Sequence, residues 1–371
     1  KIKELQKKQI EFSSYTIKDL KKILNLTKKL GIIPFSILAR HAFISQSILK
    51  SLVEKKILNK KEKFQILSSI ETVATELVQD SHKLSRGIMK LNEFKNKYGH
   101  LRPGTYNVES RNYRSMNIKN FMKSRNLFKS KLFKELEIGK QKQKKFNLIA
   151  QKQKFPILDL KEVIKYIKQS NYWREYSKFV FTKSIDQIFD IIKKFSIDNK
   201  IKISDLAHID IKYFLRFKKS KISYSEKIKL KNKILANQNN FKINNLIELP
   251  LLIKSNTDAF IVPSQLSRAN FITDKKVTGE SFYIRNNNNK FNNNELKNKI
   301  VLIEGADPGY DWIFLHGIKG LITKFGGANS HMSIRCFELG VPAAIGCGNE
   351  KFNDLKELNS IEIDTISKTV K

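Results

Sequence analysis

The sequence predicts an α+β chain with more than one domain. A mostly helical region covers residues 1–245, and a compact mixed sheet with helices covers residues 246–371. Three observations carry this. Apolar residues recur at helical spacing in the first part, as in Ile37, Leu38, Phe43, Ile44, Ile48, Leu49 and Leu52 after Pro34. Short apolar runs bounded by turn residues dominate from Leu249 onward. Between the two textures lie Asn237-Gln238-Asn239-Asn240 and Asn244-Asn245, which read as a polar hinge near 237–250. A chain of 371 residues has room for two or three domains.

Taken in order, the helix opened by Pro34 is followed by helical segments over Lys60–Val78 and Ser81–Tyr98, the latter ended by Gly99. Basic helical pieces follow over 116–150, 158–168, 184–196 and 223–236, with short helical turns at Ile201–Leu206 and Ile209–Ile211. The spacing does not repeat, which excludes a solenoid. Strands are expected at Phe260–Val262, Asn270–Thr273, Lys275–Tyr283 and Ile300–Ile303, and the Asn-rich run Asn286–Asn294 as a solvated loop. Glu304–Trp312 reads as a strand-to-helix turn.

The formal charge is +36, from 71 Lys+Arg against 35 Asp+Glu. The basic residues are mostly lysine, spread along the chain beside many Ile and Asn, as in a compositional bias. With no zinc finger, no RNP-like aromatic strand and no arginine-rich arm, no specific nucleic-acid partner is expected. Two cysteines, both near the C-terminus, imply no disulfide framework and a reducing compartment. No signal peptide is visible, and no run of about 18 apolar residues, so a cytoplasmic protein without a membrane partner is expected.

The most informative stretch is Gly320–Gly348, GLITKFGGANSHMSIRCFELGVPAAIGCG. An apolar strand leads into Gly326-Gly327, then Asn329, Ser330 and His331 at the head of a helix that stops at Gly340. The next strand is Val341–Ile345. A helix N-terminus offers unpaired N–H groups and partial positive charge to an anion. Ser330 or Asn329 can cap it, and the glycines allow close approach. Neutral imidazole is a competent nucleophile near pH 7. A phosphoryl group on it carries roughly two negative charges, which the helix end, Arg335 and Lys324 can offset. His331, Cys336 and Cys347 lack zinc-ligand spacing, so no metal site is expected.

This stretch resembles the phosphohistidine signature of the PEP-utilising enzymes. Gly326-Gly327, Ser330-His331, Ile334-Arg335, Glu338–Ala343 and Gly346 all fall in register. The resemblance implies a swivelling β/β/α domain in which His331 is the phosphocarrier, with Gly326, Gly327, Ser330 and Arg335 forming its pocket. It further implies ATP and Mg2+ as cofactors, bound mainly by an ATP-grasp domain that acts in cis or in trans. The chain shows no P-loop and no ATP-grasp hairpin, and it begins at Lys1. It therefore reads as the C-terminal part of a longer phosphotransferase or as a split subunit. Forty residues follow His331 (371 − 331 = 40), too few for the pyruvate-binding (β/α)8 barrel of phosphoenolpyruvate synthase. The layout is most similar to the rifampicin phosphotransferase and L-glutamine kinase branches. The acceptor this implies is a small polar molecule with an amide or hydroxyl. Transfer to pyruvate is the alternative, and a non-catalytic basic binding module with a degenerate swivelling domain is the competing class.

Other residues carry possible chemistry. Tyr98-Gly99-His100-Leu101-Arg102-Pro103-Gly104-Thr105-Tyr106 packs a His, an Arg and two tyrosines around a rigid turn, and resembles a family turn that follows a helix. Arg102 suits a phosphate or carboxylate. With Arg40 from the first amphipathic helix, His100 and Arg102 are the candidate acceptor-binding residues. Trp173–Lys178 resembles an Arg-Glu segment found between substrate and swivelling domains in this family. Asp307 and Asp311 flank a Pro-Gly turn and are placed to face the pocket or to orient an imidazole. His82, His208 and His316 read as structural.

Overall fold

Helices in the first two-thirds follow the apolar spacing, and polar caps set several of their ends. The computed structural model describes residues 1–116, 136–157, 159–247, 253–260, 269–284, 295–328 and 330–371. The helices are α1 (Ile2–Lys8), α2 (Leu20–Leu26), α3 (Ile33–Glu54), α4 (Lys60–Ser68), α5 (Val73–Ser85) and α6 (Leu91–Tyr98). They continue with α7 (Lys140–Lys152), α8 (Leu160–Asn199), the short α9 (Ile203–Leu206) and α10 (Ile211–Phe214), and α11 (Tyr224–Asn244). Asn59 and Glu62 form a capping box that starts α4, and Thr72 with Thr75 does the same for α5. These caps explain why the segment read as Lys60–Val78 is two helices.

The largest departure from the sequence reading is α8. Pieces expected at 158–168 and 184–196 are one helix of 40 residues, about 60 Å long at 1.5 Å per residue. Buried polar residues along it blur the apolar period. They are satisfied by their own helix: Ser170, Asn171, Ser177 and Thr182 donate to carbonyls three or four residues back. A second departure is the polar hinge, since α11 continues unbroken through Asn237–Asn244. Residues 248–252 of the expected hinge, Ile261-Val262 of an expected strand and the run from Asn286 to Asn294 lie outside the described residues. A third concerns the membrane. The stretch Ile17–Glu54 is long and apolar enough to cross one by length and composition alone. The sequence reading began this helix at Pro34, whereas a π-helical turn, Thr27–Ile32, joins α2 to α3.

The strands are β1 (Asn270–Ile272), β2 (Lys276–Tyr283), β3 (Ile300–Gly305), β4 (Gly320–Phe325), β5 (Ala343–Ile345), β6 (Ser360–Asp364) and β7 (Thr369–Val370). They form one sheet in the order β1-β5-β4-β3-β2-β6-β7. The central pairs β2·β3, β3·β4 and β4·β5 are parallel, and the outer pairs are antiparallel. Full burial on both faces fits the continuous apolar runs of β3 and β4. A 3-10 segment, Pro308–His316, follows β3. Two helices complete the domain, α12 (His331–Leu339) and α13 (Asn349–Lys356).

Burial shows how the parts meet. One sheet face packs on α13 through Leu302, Ile322, Phe352 and Leu355. The other carries α12 and the 308–316 segment, and that core continues into the helical region. Leu77, Phe94 and Tyr98 bury together with Ile303, Trp312 and Met332. The α+β architecture is thus a helical region and a sheet domain with a shared apolar contact, and α12 lies beside it.

Candidate active site

The strand β4 ends at a bend that only glycine accommodates. Gly326 has φ +137°, and a Cβ there would come within 2.7 Å of the Ala306 Cβ. Gly346, at φ +76°, rests against the Gly326 carbonyl, where a Cβ would lie 2.3 Å from the oxygen. Ser330 is the N-cap of α12, its Oγ accepting from the Ser333 N–H at 3.3 Å. The Ser333 hydroxyl donates to the Gly327 carbonyl at 2.7 Å and holds the loop down. Asn329, the alternative cap, lies outside the described residues. His331 is therefore the first residue of the helix, as the sequence predicts.

Both ring nitrogens of His331 face carboxylates. Nε2 lies 2.8 Å from each oxygen of Asp311, and Nδ1 lies 3.1 Å from Oε2 of Glu175, which comes from the middle of α8. A ring flanked in this way donates from both nitrogens and is an imidazolium. Burial works against the charged ring, but Asp311 and then Glu175 outweigh it and raise its pKa to about 9. For Glu175, burial pushes the pKa up, and the His331 hydrogen bond and charge overcome that and lower it to about 2. The neutral nucleophile expected from the sequence is thus not the form held here.

Arg335, one turn along α12, is 3% exposed. Its Nη1 donates to Glu338 at 2.7 Å and its Nε lies 3.6 Å from Asp311. Its Nη2 has no hydrogen-bond partner among the described residues. A buried guanidinium with an idle N–H beside the imidazole suits an anionic oxygen. Lys324 lies over the Phe325 ring, 5.1 Å from its centroid.

The candidate acceptor residues are distributed unevenly. His100, Arg102, Thr105 and Lys178 line a cavity of about 50 Å³ together with Glu175, Asp311 and His331. Arg102 is spoken for: it pairs with Asp186 of α8, and its Nη1 lies 3.3 Å from the Ser110 carbonyl. His100 lies 3.1 Å from the Phe179 carbonyl through Nε2, and burial, followed by Lys183 and nearby arginines, lowers its pKa to about 3, so it is neutral. Arg40 is exposed on α3 and lines neither this cavity nor the larger cleft beside it. That cleft, about 960 Å³, runs from Arg174 and Glu175 along Ser333, Phe337 and Glu338 to Phe43 and Phe64.

The site-residue set drawn from the sequence lacked Glu175; Asp311 was read as a turn residue placed to face the pocket or to orient an imidazole, and it does lie on the His331 ring. The signal for Glu175 was the Arg-Glu segment 173–178. Asp311 and Glu175 are both occupied by His331, and no other cluster of His, Cys, Asp or Glu among the described residues has the makings of a metal site. The described residues do not form a magnesium site, and no step below passes through one.

His331 thus stands at the head of the helix that joins the two parallel strands β4 and β5. Residues 296–367 match the family model of the PEP-utilising enzyme mobile domain. No curated protein matches the chain. The family match covers this domain alone; enzymes that carry such a domain are in general phosphotransferases, and related ones use ATP and Mg2+.

Proposed function

We propose that His331 carries a phosphoryl group from ATP, bound outside the described residues, to an acceptor held against the helical region. The acceptor presents an amide or a hydroxyl. The observation that carries this reading is the contact between His331 and Glu175, which joins the sheet domain to the middle of α8 at 3.1 Å. A carrier needs a nucleophilic form and a delivery position. Lifting the sheet domain from α8 removes Glu175 and leaves Asp311 as the one carboxylate on the ring. The pKa then falls from about 9 toward the ordinary range, and a neutral nitrogen becomes available to attack phosphorus.

On return, the phosphoryl group on a ring nitrogen meets the acceptor at Glu175. The acceptor O–H or N–H gives its proton to the Glu175 carboxylate, a bond forms from that oxygen or nitrogen to phosphorus, and the P–N bond breaks with its electron pair going to the imidazole. The proton then passes from Glu175 to the ring and regenerates the imidazolium–carboxylate pair seen here. The idle Nη2 of Arg335 and the nearby Arg174 and Lys178 offset charge on the transferring group. In this reading the pose with His331 against Glu175 is that of the discharged carrier in its delivery position.

The test is incubation of the full-length protein, with its ATP-binding domain, in Mg-ATP labelled at the β or γ phosphate. An acid-labile, base-stable label on His331 with release of AMP is expected, and none in the His331→Asn protein. Equal label in wild type and variant would sink this reading.

A further inference from the structure

Gly309 is a glycine that its own backbone does not require, because its φ is not positive. What excludes a side chain is a neighbour. A Cβ at 309 would lie 1.7 Å from the Arg102 carbonyl oxygen and 2.4 Å from the Pro103 nitrogen. The Tyr113 hydroxyl donates to the Gly309 carbonyl at 3.2 Å. Two residues earlier, Asp307 accepts from the Thr105 N–H at 3.1 Å and from its hydroxyl at 2.7 Å. The loop that ends at Tyr113 therefore grips the 307–309 turn from both sides.

The grip has fixed ends. Arg102 is tied to Asp186 and His100 to the Phe179 carbonyl, so the loop is anchored on α8. Two residues beyond Gly309, Asp311 holds His331, and His331 meets Glu175 on the same α8. Helix, loop, turn and imidazole close a circuit, and a change in the loop-to-turn spacing displaces the ring from Glu175.

We propose that the loop from Arg102 to Tyr113 is a latch, in which Thr105 and the side-chain-free Gly309 are positioning residues that set His331 against Glu175. The latch takes its use from the phosphocarrier reading, but the contact is tested without any phosphoryl transfer. It also gives Arg102 and His100 a different role from acceptor binding, as anchors of the latch.

The experiment is an NMR titration of the His331 ring in the whole protein, with its signal assigned by its loss in His331→Asn. Wild type is compared with Gly309→Ala, Thr105→Val and Thr105→Ser. The wild-type ring, held by Asp311 and Glu175, is expected to titrate near pH 9. In Gly309→Ala and Thr105→Val the midpoint falls by about one unit or more, because Glu175 no longer faces the ring. Thr105→Ser, which keeps the hydroxyl, stays with wild type. Amide exchange in β3 and β4 stays slow in all four, since the sheet domain itself is intact. An unchanged midpoint in Gly309→Ala overturns the latch, as does a Ser variant that behaves like Val. Loss of β3 and β4 protection in Gly309→Ala does so too, because the glycine would then serve the domain's own fold. Absence of label on His331 would leave these titrations unchanged, so the two readings fail separately.

Discussion

Two carboxylates on α8, one half-buried and one fully buried, solve the same problem in different ways. Glu175 and Asp186 are eleven residues apart, about three turns, and so lie on one side of the helix. Asp186 is 1% exposed and pairs with Arg102, with the Asn112 amide at 2.9 Å and the Arg114 guanidinium at 3.9 Å. Its partners all belong to the helical region. Burial lowers the Arg102 pKa to about 10, still charged at neutrality. Glu175 pairs with an imidazole from another domain, and that charge is lost within reach of ordinary pH. On the reading proposed above, the Asp186 pair is permanent and the Glu175 pair is the one that releases the sheet domain.

The sharpest way to break this comparison is to remove each carboxylate. Asp186→Ala leaves Arg102 buried without its partner, which costs about 3–5 kcal/mol. Urea unfolding of the helical region should show that loss. Glu175→Gln should cost less, about 1.5 kcal/mol, at the low end for a hydrogen bond to a charged group. The reason is that His331 and residue 175 can both reach water once the sheet domain lifts off. Equal losses in the two proteins would mean that the Glu175 pair is as structural as the Asp186 pair.

The two regions were not equally legible in the sequence. The sheet domain could be read closely, because its strands are short apolar runs punctuated by Gly326, Gly340 and Gly346, each with positive φ. His331 was legible for the same reason, since glycine, a capping serine and a helix start are local signals. The long helix was not. Ser170, Asn171, Ser177 and Thr182 interrupt the apolar pattern, and their hydrogen bonds to the helix's own carbonyls appear only in three dimensions. Glu175 lies in that stretch, 156 residues before the imidazole it meets, and no spacing rule links the two. Arg102 was singled out for acceptor binding, and its pairing with Asp186, 84 residues away, has no local signal. The Asn-rich stretch after Leu235 looked like a hinge by composition. It is helical because Ser223 and Glu226 cap α11 firmly and no Gly or Pro follows to stop it.

A smaller effect sharpens the comparison further, because only one of the two pairs should respond to pH between neutrality and about pH 10. His331 has a pKa raised to about 9 by Asp311 first and Glu175 second; only the Glu175 share belongs to docking, so that contribution is complete below the undocked ring's pKa and fades as pH rises through about 9. Glu175 has a pKa lowered to about 2, so its contribution is present above about pH 4.5 and fades only in strong acid. Docking of the sheet domain on α8 should therefore be strongest from about pH 4.5 to near neutrality and weaken as pH rises toward about 9. Small-angle scattering across this range should show the radius of gyration rising toward pH 9 and beyond, while the Asp186 pair keeps the helical region folded. Glu175→Gln removes one of the two carboxylates that hold the proton, so the rise should begin at lower pH. A radius that does not change with pH, or a rise unaffected by Glu175→Gln, would mean that the imidazolium does not hold the domain in place, and the distinction between a permanent and a switchable pair on α8 would fall.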